Sequence, residues 1–66
     1  MFSYKPLFKL LIEHNMNKTQ FQEAIKISSA TVAKLAKNEY VSMETLDSIC
    51  QYFHCKIEDV IEYIDI

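Results

Sequence analysis

The clearest chemical pattern in this sequence lies on one side of a stretch that begins at Ser29. A helix here with Val32 facing the core turns by about 100° per residue, which places small, polar and basic residues on its opposite side. These residues are Ala30, Lys34 and Lys37, flanked by Thr31 and Ala33. Small side chains let a helix approach another molecule closely, and lysines favour an anionic one. Such a helix fits the major groove of B-DNA, although a solvated helix face has the same spacing.

Two other groups of reactive side chains lie in the C-terminal half. Cys50, His54 and Cys55 are residue types that bind zinc, but three of them in one short stretch with no second pair are a weak metal signal. We expect two reduced, apolar thiols there. Glu58 and Asp59 lie at a predicted helix start, where acids favour the helix dipole. No nucleophile–base pair, paired carboxylates or Gly-rich phosphate loop can be assembled, so the sequence predicts neither an enzyme nor a cofactor.

The charged residues are divided unequally along the chain. Residues 1–38 contain six lysines and two acids, a net charge of +4, whereas residues 39–66 contain one lysine and seven acids, a net charge of −6. The total of −2 therefore hides a basic half and an acidic half. This asymmetry favours a basic end that faces a polyanion and an acidic end that faces water or a partner, although both halves can equally be solvated faces.

Length and hydropathy limit the architecture to one small domain over residues 1–66. A chain of this size is near the lower limit for folding alone, yet half of its residues are hydrophobic, which is enough for a core. The sequence has no run of about 18 apolar residues and no visible signal peptide. We expect a cytoplasmic protein without a membrane segment and without a small-molecule substrate.

The basic face belongs to the second of two short predicted helices. In the first, over about 18–25, apolar residues recur at i, i+3 and i+4. The same spacing recurs in the second, over about 29–37. Ser28 or Ser29 can cap this second helix, because a serine oxygen accepts from an orphan amide of the first turn. So short a connection predicts a steep crossing, as in a helix-turn-helix.

The remaining elements complete a predicted all-α, five-helix bundle. Pro6 suits the first turn of helix 1, and Asn17 with Gln20 matches a capping box at the start of helix 2. Helix 4 is predicted over about 43–53 and helix 5 over about 57–63. The apolar stripe of helix 4 contains Met43, Leu46, Ile49, Cys50 and Phe53. No segment alternates for long enough to predict a strand.

These residues together resemble the Cro/repressor-type (XRE) helix-turn-helix family, and within it the small single-domain bacterial or phage regulators. The resemblance spans essentially the whole chain. It rests on Met16-Asn17-Lys18-Thr19, Ile27-Ser28-Ser29, Lys34-Leu35-Ala36-Lys37-Asn38 and the stripe Leu46…Ile49-Cys50…Phe53. The family often has a small residue where this chain has Gln22. It usually has glycine in the turn where this chain has Lys26, which predicts a left-handed residue strained by about 1 kcal/mol.

The resemblance implies a transcriptional repressor that binds double-stranded DNA sequence-specifically, as a homodimer on a palindromic operator, with helix 3 in the major groove. Its expected base-contacting residues are Ser29, Ala30, Thr31 and Lys34. Its expected phosphate-contacting residues are Lys18, Thr19, Lys37 and Asn38. The chain has no arginine, the commonest bidentate reader of guanine. Specificity is therefore expected to depend also on dimerisation and DNA shape.

A surplus of apolar residues indicates where a homodimer would form. The candidate interface residues are Phe8, Ile12, Tyr63, Ile64 and Ile66. The main alternative function is a protein-interaction module that keeps the helix-turn-helix fold, such as an antitoxin-like or inhibitor subunit. The acidic C-terminal half and the absence of arginine favour this alternative.

Overall fold

Four α-helices, one short 3-10 helix and a pair of two-residue strands make up the computed structural model, which describes residues 1–65. In chain order they are β1 (Phe2–Ser3), α1 (Lys5–Glu13), α2 (Lys18–Ile25), α3 (Ser29–Ala36), α4 (Met43–Phe53), the 3-10 helix (Ile57–Asp59) and β2 (Glu62–Tyr63). The predicted bounds of α2 and α4 are confirmed, and α3 ends one residue before the predicted end. No helix within the described residues has the length and hydropathy needed to cross a membrane.

Local capping explains why the helices begin where they do. The amide of Gln20 donates to Asn17 Oδ1 over 2.8 Å, and the amide of Asn17 donates to Gln20 Oε1 over 2.9 Å, which is the predicted capping box. Of the two candidate caps for α3, Ser28 is the one used, since its Oγ accepts from the amide of Thr31. Ser42 caps α4 in the same way.

The core lies between all four helices and the C-terminal segment. It consists of Tyr4, Leu7, Leu11, Phe21, Val32, Leu35, Leu46, Ile49 and Val60. Full burial of a large apolar side chain contributes about 1.5–3 kcal/mol, so the predicted inward faces of α2 and α3 hold these two helices against the rest. Phe53 extends the contact, because its ring stacks on that of Phe21 with centroids 6.4 Å apart.

One predicted core residue of α4 is not in the core. Met43 is 77% exposed, whereas Leu46 and Ile49 are buried. Met43 is the first residue of the helix, and helical side chains tilt towards the N-terminus. Its side chain therefore projects past the end of the packed surface.

The predicted fifth helix, and with it the five-helix bundle, is wrong. After the 3-10 helix and the buried Val60, the chain extends and β2 pairs antiparallel with β1, so that Phe2 lies opposite Tyr63 and Ser3 opposite Glu62. The rings of Phe2 and Tyr63 pack edge to face, with centroids 5.2 Å apart. Tyr63 and Ile64 of the apolar tail therefore contact the N-terminus of the same chain. Backbone partners there replace the bonds that a helix would have supplied.

Candidate nucleic-acid interface

The exposed side of α3 is the candidate interface. Val32 and Leu35 are buried, while Ser29, Ala30, Ala33, Lys34 and Lys37 are exposed. The eight residues of α3 span about 12 Å, close to the width of the major groove of B-DNA, about 12 Å. The small side chains keep this face flat, and its two lysines make it cationic. We name these five exposed residues the α3 face.

The N-terminal end of α3 is held by its cap and by the turn before it. Lys26 ends α2 in the left-handed conformation, with φ 63° and ψ 45°, as the missing glycine predicted. Its amide donates to the carbonyl of Gln22 over 2.9 Å. Ile27 follows and packs against the core. The turn therefore sets the angle between α2 and α3 through backbone geometry and one apolar anchor.

The C-terminal end of α3 is held by the N-terminal segment of the chain. Asn38 follows the C-cap Lys37 with φ 58°, a left-handed conformation that asparagine tolerates at the end of a helix. The amide of Tyr4 donates to Asn38 Oδ1 over 3.0 Å, and the Tyr4 hydroxyl donates to the carbonyl of Glu39 over 2.8 Å. Tyr4 is only 2% exposed. One buried tyrosine thus fastens the end of α3 to the body of the protein.

Burial also changes the pKa of this anchoring tyrosine. Removal of the Tyr4 ring from water raises the pKa of its phenol above the ordinary value of 10.0. A tyrosine is protonated at neutral pH in any case, so the raised pKa extends into the alkaline range the pH at which the hydroxyl still donates to Glu39. The sequence did not indicate this role of Tyr4, because its partners lie more than 30 positions along the chain.

The four predicted base-contacting residues fall into two groups. Ser29, Ala30 and Lys34 are exposed on the α3 face. Thr31 is half-buried, and its Oγ1 lies 2.9 Å from the Oγ of the capping Ser28. Its hydroxyl is therefore engaged within the helix cap. Ala33, which the helical rotation had placed beside these residues, is also exposed on the α3 face.

The predicted phosphate-contacting residues lie at the ends of α2 and α3. Lys18 and Thr19 form the first turn of α2 and are exposed. The capping box occupies the amides of Asn17 and Gln20, so the amides of Lys18 and Thr19 point out of the helix without an intrahelical acceptor. Orphan amides at a helix N-terminus favour an anion. The Nζ of Lys18 lies 5.6 Å from the centre of the Phe8 ring.

At the other end, Lys37 and Asn38 differ in availability. Lys37 is the exposed C-cap of α3. Asn38 is half-buried, and its side-chain oxygen accepts from Tyr4. The side-chain amide nitrogen of Asn38 remains available to donate to a phosphate. Its side-chain oxygen has a structural role that the sequence did not indicate.

The candidate dimer residues are not equivalent. Phe8 packs against the core and beneath Lys18, so most of its apolar surface is used within the chain. Ile12 is 75% exposed and Tyr63 66% exposed. Ile64 is at the border of exposure, and its amide donates to the carbonyl of Met1 over 2.7 Å. Ile66 lies outside the described residues.

The side chains of Cys50, His54 and Cys55 lie at or just after the end of α4. Within residues 1–65, no three histidine, cysteine or acidic side chains are grouped so that they could hold a metal ion. Cys50 and Cys55 are free and half-buried, and both pack against the core.

Comparison with known proteins places this geometry in a family. The crystal structure of the transcriptional regulator VanUg, form II, superposes with a TM-score of 0.91 and 46% sequence identity, covering 96% of this chain and 84% of that one. The comparison with curated proteins found no significant match. Residues 7–65 match the sequence profile of the Cro/C1-type HTH DNA-binding domain. The chain therefore belongs to the Cro/C1-type helix-turn-helix DNA-binding family.

Proposed function

We propose that this chain is a transcriptional repressor that binds a specific double-stranded DNA site by inserting α3 into the major groove. Residues 1–66 would form a single DNA-binding domain. The observation that supports this most directly is the α3 face, which is flat, cationic and fixed at both ends of its helix. The similarity to a crystallised transcriptional regulator supports the same regulatory role.

Within this proposal, the residues of α3 contact the bases in different ways. Ser29, Ala30 and Lys34 contact base edges; Lys34 can donate to O6 and N7 of guanine, and Ala30 can touch a thymine methyl group. Thr31 contributes its methyl group, because its hydroxyl lies against Ser28.

Phosphates are bound at the two ends of the helix-turn-helix. Lys18 and Thr19 bind one phosphate through the side chain of the lysine and the orphan amides of α2. Lys37 and the side-chain amide nitrogen of Asn38 bind another phosphate. The chain has no arginine, so its phosphate contacts are point charges rather than bidentate forks.

The decisive experiment is selection of bound sequences from a random duplex pool, followed by binding of the selected site to variants. Lys34→Ala should weaken binding by about 1–3 kcal/mol per contact and relax the preference at one base position. Lys56→Ala is the matched control, since Lys56 is exposed but lies in the acidic half, and it should leave both affinity and preference unchanged. If Lys34→Ala keeps the full sequence preference, Lys34 does not read bases.

We further propose that the protein acts as a homodimer on a palindromic operator. The interface would use Phe8, Ile12, Tyr63, Ile64 and Ile66, with the exposed Ile12 and Tyr63 as its main apolar contacts. Two recognition helices would then lie about 34 Å apart, one turn of DNA. The acids of the C-terminal half would lie away from the phosphates.

Sedimentation at micromolar concentration tests the dimer. Deleting residues 63–66 would remove the interface but also Tyr63 from β2. A better variant is therefore the double substitution Tyr63→Ser and Ile64→Ser, which keeps the backbone. It should shift the protein towards monomer and weaken operator binding. Tyr40→Ser is the control, because Tyr40 is also an exposed tyrosine but lies outside the proposed interface. A full-length protein that is already monomeric would refute this interface.

A protein-interaction module is the second candidate function. An apolar groove of about 310 Å³ supports it, lined by Phe2, Tyr40, Met43 and Ile57 among others. Three of these residues, Tyr40, Met43 and Ile57, belong to the acidic half of the chain, residues 39–66. Retention on a DNA column separates the two functions: a DNA-binding repressor elutes at a salt concentration that depends on its lysines, whereas an interaction module passes through.

A further inference from the structure

The two cysteines are brought together by the way α4 ends. His54 takes the left-handed conformation, with φ 53° and ψ 45°, and its amide donates to the carbonyl of Cys50. The amide of Cys55 donates to the same carbonyl over 3.2 Å. This closure is the Schellman type of helix end, in which the residue after the left-handed one contacts the residue at the start of the last turn. Cys50 and Cys55 occupy these two positions.

The side chains of this pair share one environment. Both thiols are half-buried and free, and both pack against the core. Burial raises the pKa of the Cys55 thiol, and the neighbouring Cys50 thiol raises it further. A direct hydrogen bond between the two backbones also holds the Cα atoms close. Disulfides form when the Cα atoms are roughly 4.4–6.8 Å apart.

We propose that Cys50 and Cys55 form a dithiol site that low-molecular-weight disulfides, such as glutathione disulfide, oxidise to an intramolecular disulfide. In the first step one cysteine thiolate attacks glutathione disulfide, forms a mixed disulfide and releases one glutathione thiol. In the second step the other cysteine attacks the protein sulfur of that mixed disulfide and releases a second glutathione thiol. Two protein thiols are oxidised, and one glutathione disulfide is reduced.

The folded chain favours the second step over accumulation of the mixed disulfide. The helix end already positions the two side chains, so closing the ring costs little further entropy. In the unfolded chain the same two cysteines must first find each other. Folding should therefore lower, by at least tenfold, the ratio of glutathione disulfide to squared glutathione at which half of the protein is oxidised. This corresponds to a fall of about 30 mV in the reduction potential of the two-electron couple. The loop that a disulfide would close, residues 50–55, includes Phe53, whose ring packs against those of Phe21 and His14.

A redox titration tests the proposal. The full chain is equilibrated in glutathione buffers of stated ratio, quenched with an alkylating reagent and analysed by mass spectrometry, in native buffer and in guanidinium chloride. We expect loss of two alkylatable thiols without attached glutathione, in a species that remains a single chain. Half oxidation at the same or a higher ratio in native buffer than in guanidinium chloride would overturn the proposal, as would mixed disulfides or cross-linked chains as the main native product.

Single-cysteine variants provide the matched controls. Cys50→Ser and Cys55→Ser should each form only a mixed disulfide with glutathione, and circular dichroism establishes that each variant is folded. Should either variant fail to fold, the native and denatured titrations of the unchanged chain still decide the question. The proposal goes beyond DNA binding and does not depend on it, since no step of the titration uses DNA.

Discussion

Lys26 offers a direct test of how the turn between α2 and α3 is built. It has φ 63°, a conformation in which a β-carbon crowds the following carbonyl oxygen. Its side chain is exposed and its backbone amide bonds to Gln22. The turn therefore uses Lys26 for its backbone conformation, and a glycine at this position should stabilise the fold.

The size of the effect follows from two opposing contributions. A non-glycine residue in the left-handed region costs about 1–2 kcal/mol, which Lys26→Gly removes. Glycine also makes the unfolded chain more flexible, which costs about 0.4–1 kcal/mol. The free energy of unfolding should therefore rise by about 0–1.6 kcal/mol. At the central value of about 0.8 kcal/mol, the melting temperature rises by roughly 3–6 °C for a domain of this size.

Chemical and thermal unfolding of three proteins measure this difference. Lys26→Ala is the matched control, because it removes the same charge and keeps the β-carbon, so its stability should stay close to that of the unchanged chain. The contrast between the glycine and alanine variants isolates the backbone contribution. If Lys26→Gly is no more stable than Lys26→Ala, strain at φ 63° does not limit the stability of this turn.

Other predictions concern the charges at the interface and the buried tyrosine. Lys18→Ala and Lys37→Ala should each lower affinity about equally for all DNA sequences and reduce the slope of log K against log salt by about 1. The control variant Lys56→Ala should leave this slope unchanged. Unchanged slopes in both interface variants would contradict the proposed docking. Tyr4→Phe should lower the free energy of unfolding by about 0.5–1.5 kcal/mol, because the part-buried bond from its hydroxyl to the carbonyl of Glu39 is lost. A denaturant titration that shows no loss would contradict this anchoring role. The raised pKa of Tyr4 means that its contribution is complete below the unfolded pKa of about 10 and is lost as the pH rises through the folded pKa; unfolding measured above pH 10 should therefore show a steeper loss of stability for the unchanged chain than for Tyr4→Phe.

Features that depend on neighbours in the sequence could be predicted from it. The capping box of α2 joins Asn17 and Gln20, three positions apart, and the left-handed conformation of Lys26 was expected from the resemblance to a family that usually has glycine at this position. Val32 faces the core and Lys34 faces out, because both positions follow from the rotation of a single helix. The α3 face was therefore predictable in outline, including Ala30 and Lys37.

Features that depend on distant partners could not. Ile57, Val60, Ile61 and Ile64 have the spacing of a helix face, and that pattern predicted a fifth helix. The segment is a 3-10 helix and a strand instead, because Glu62 and Tyr63 pair with β1 at the other end of the chain and Val60 is buried in the core. No local window contains that partner.

The same reason explains the missed role of Tyr4. As an isolated residue before Pro6 it indicates only a helix start, yet its hydroxyl and amide fasten Asn38 and Glu39 at the far end of α3. The identity of the residues on the α3 face is local, whereas the orientation in which the protein holds them is not. That orientation comes from hydrogen bonds and apolar contacts between segments that only folding brings together, since each such contact must offset the entropy of closing a long loop.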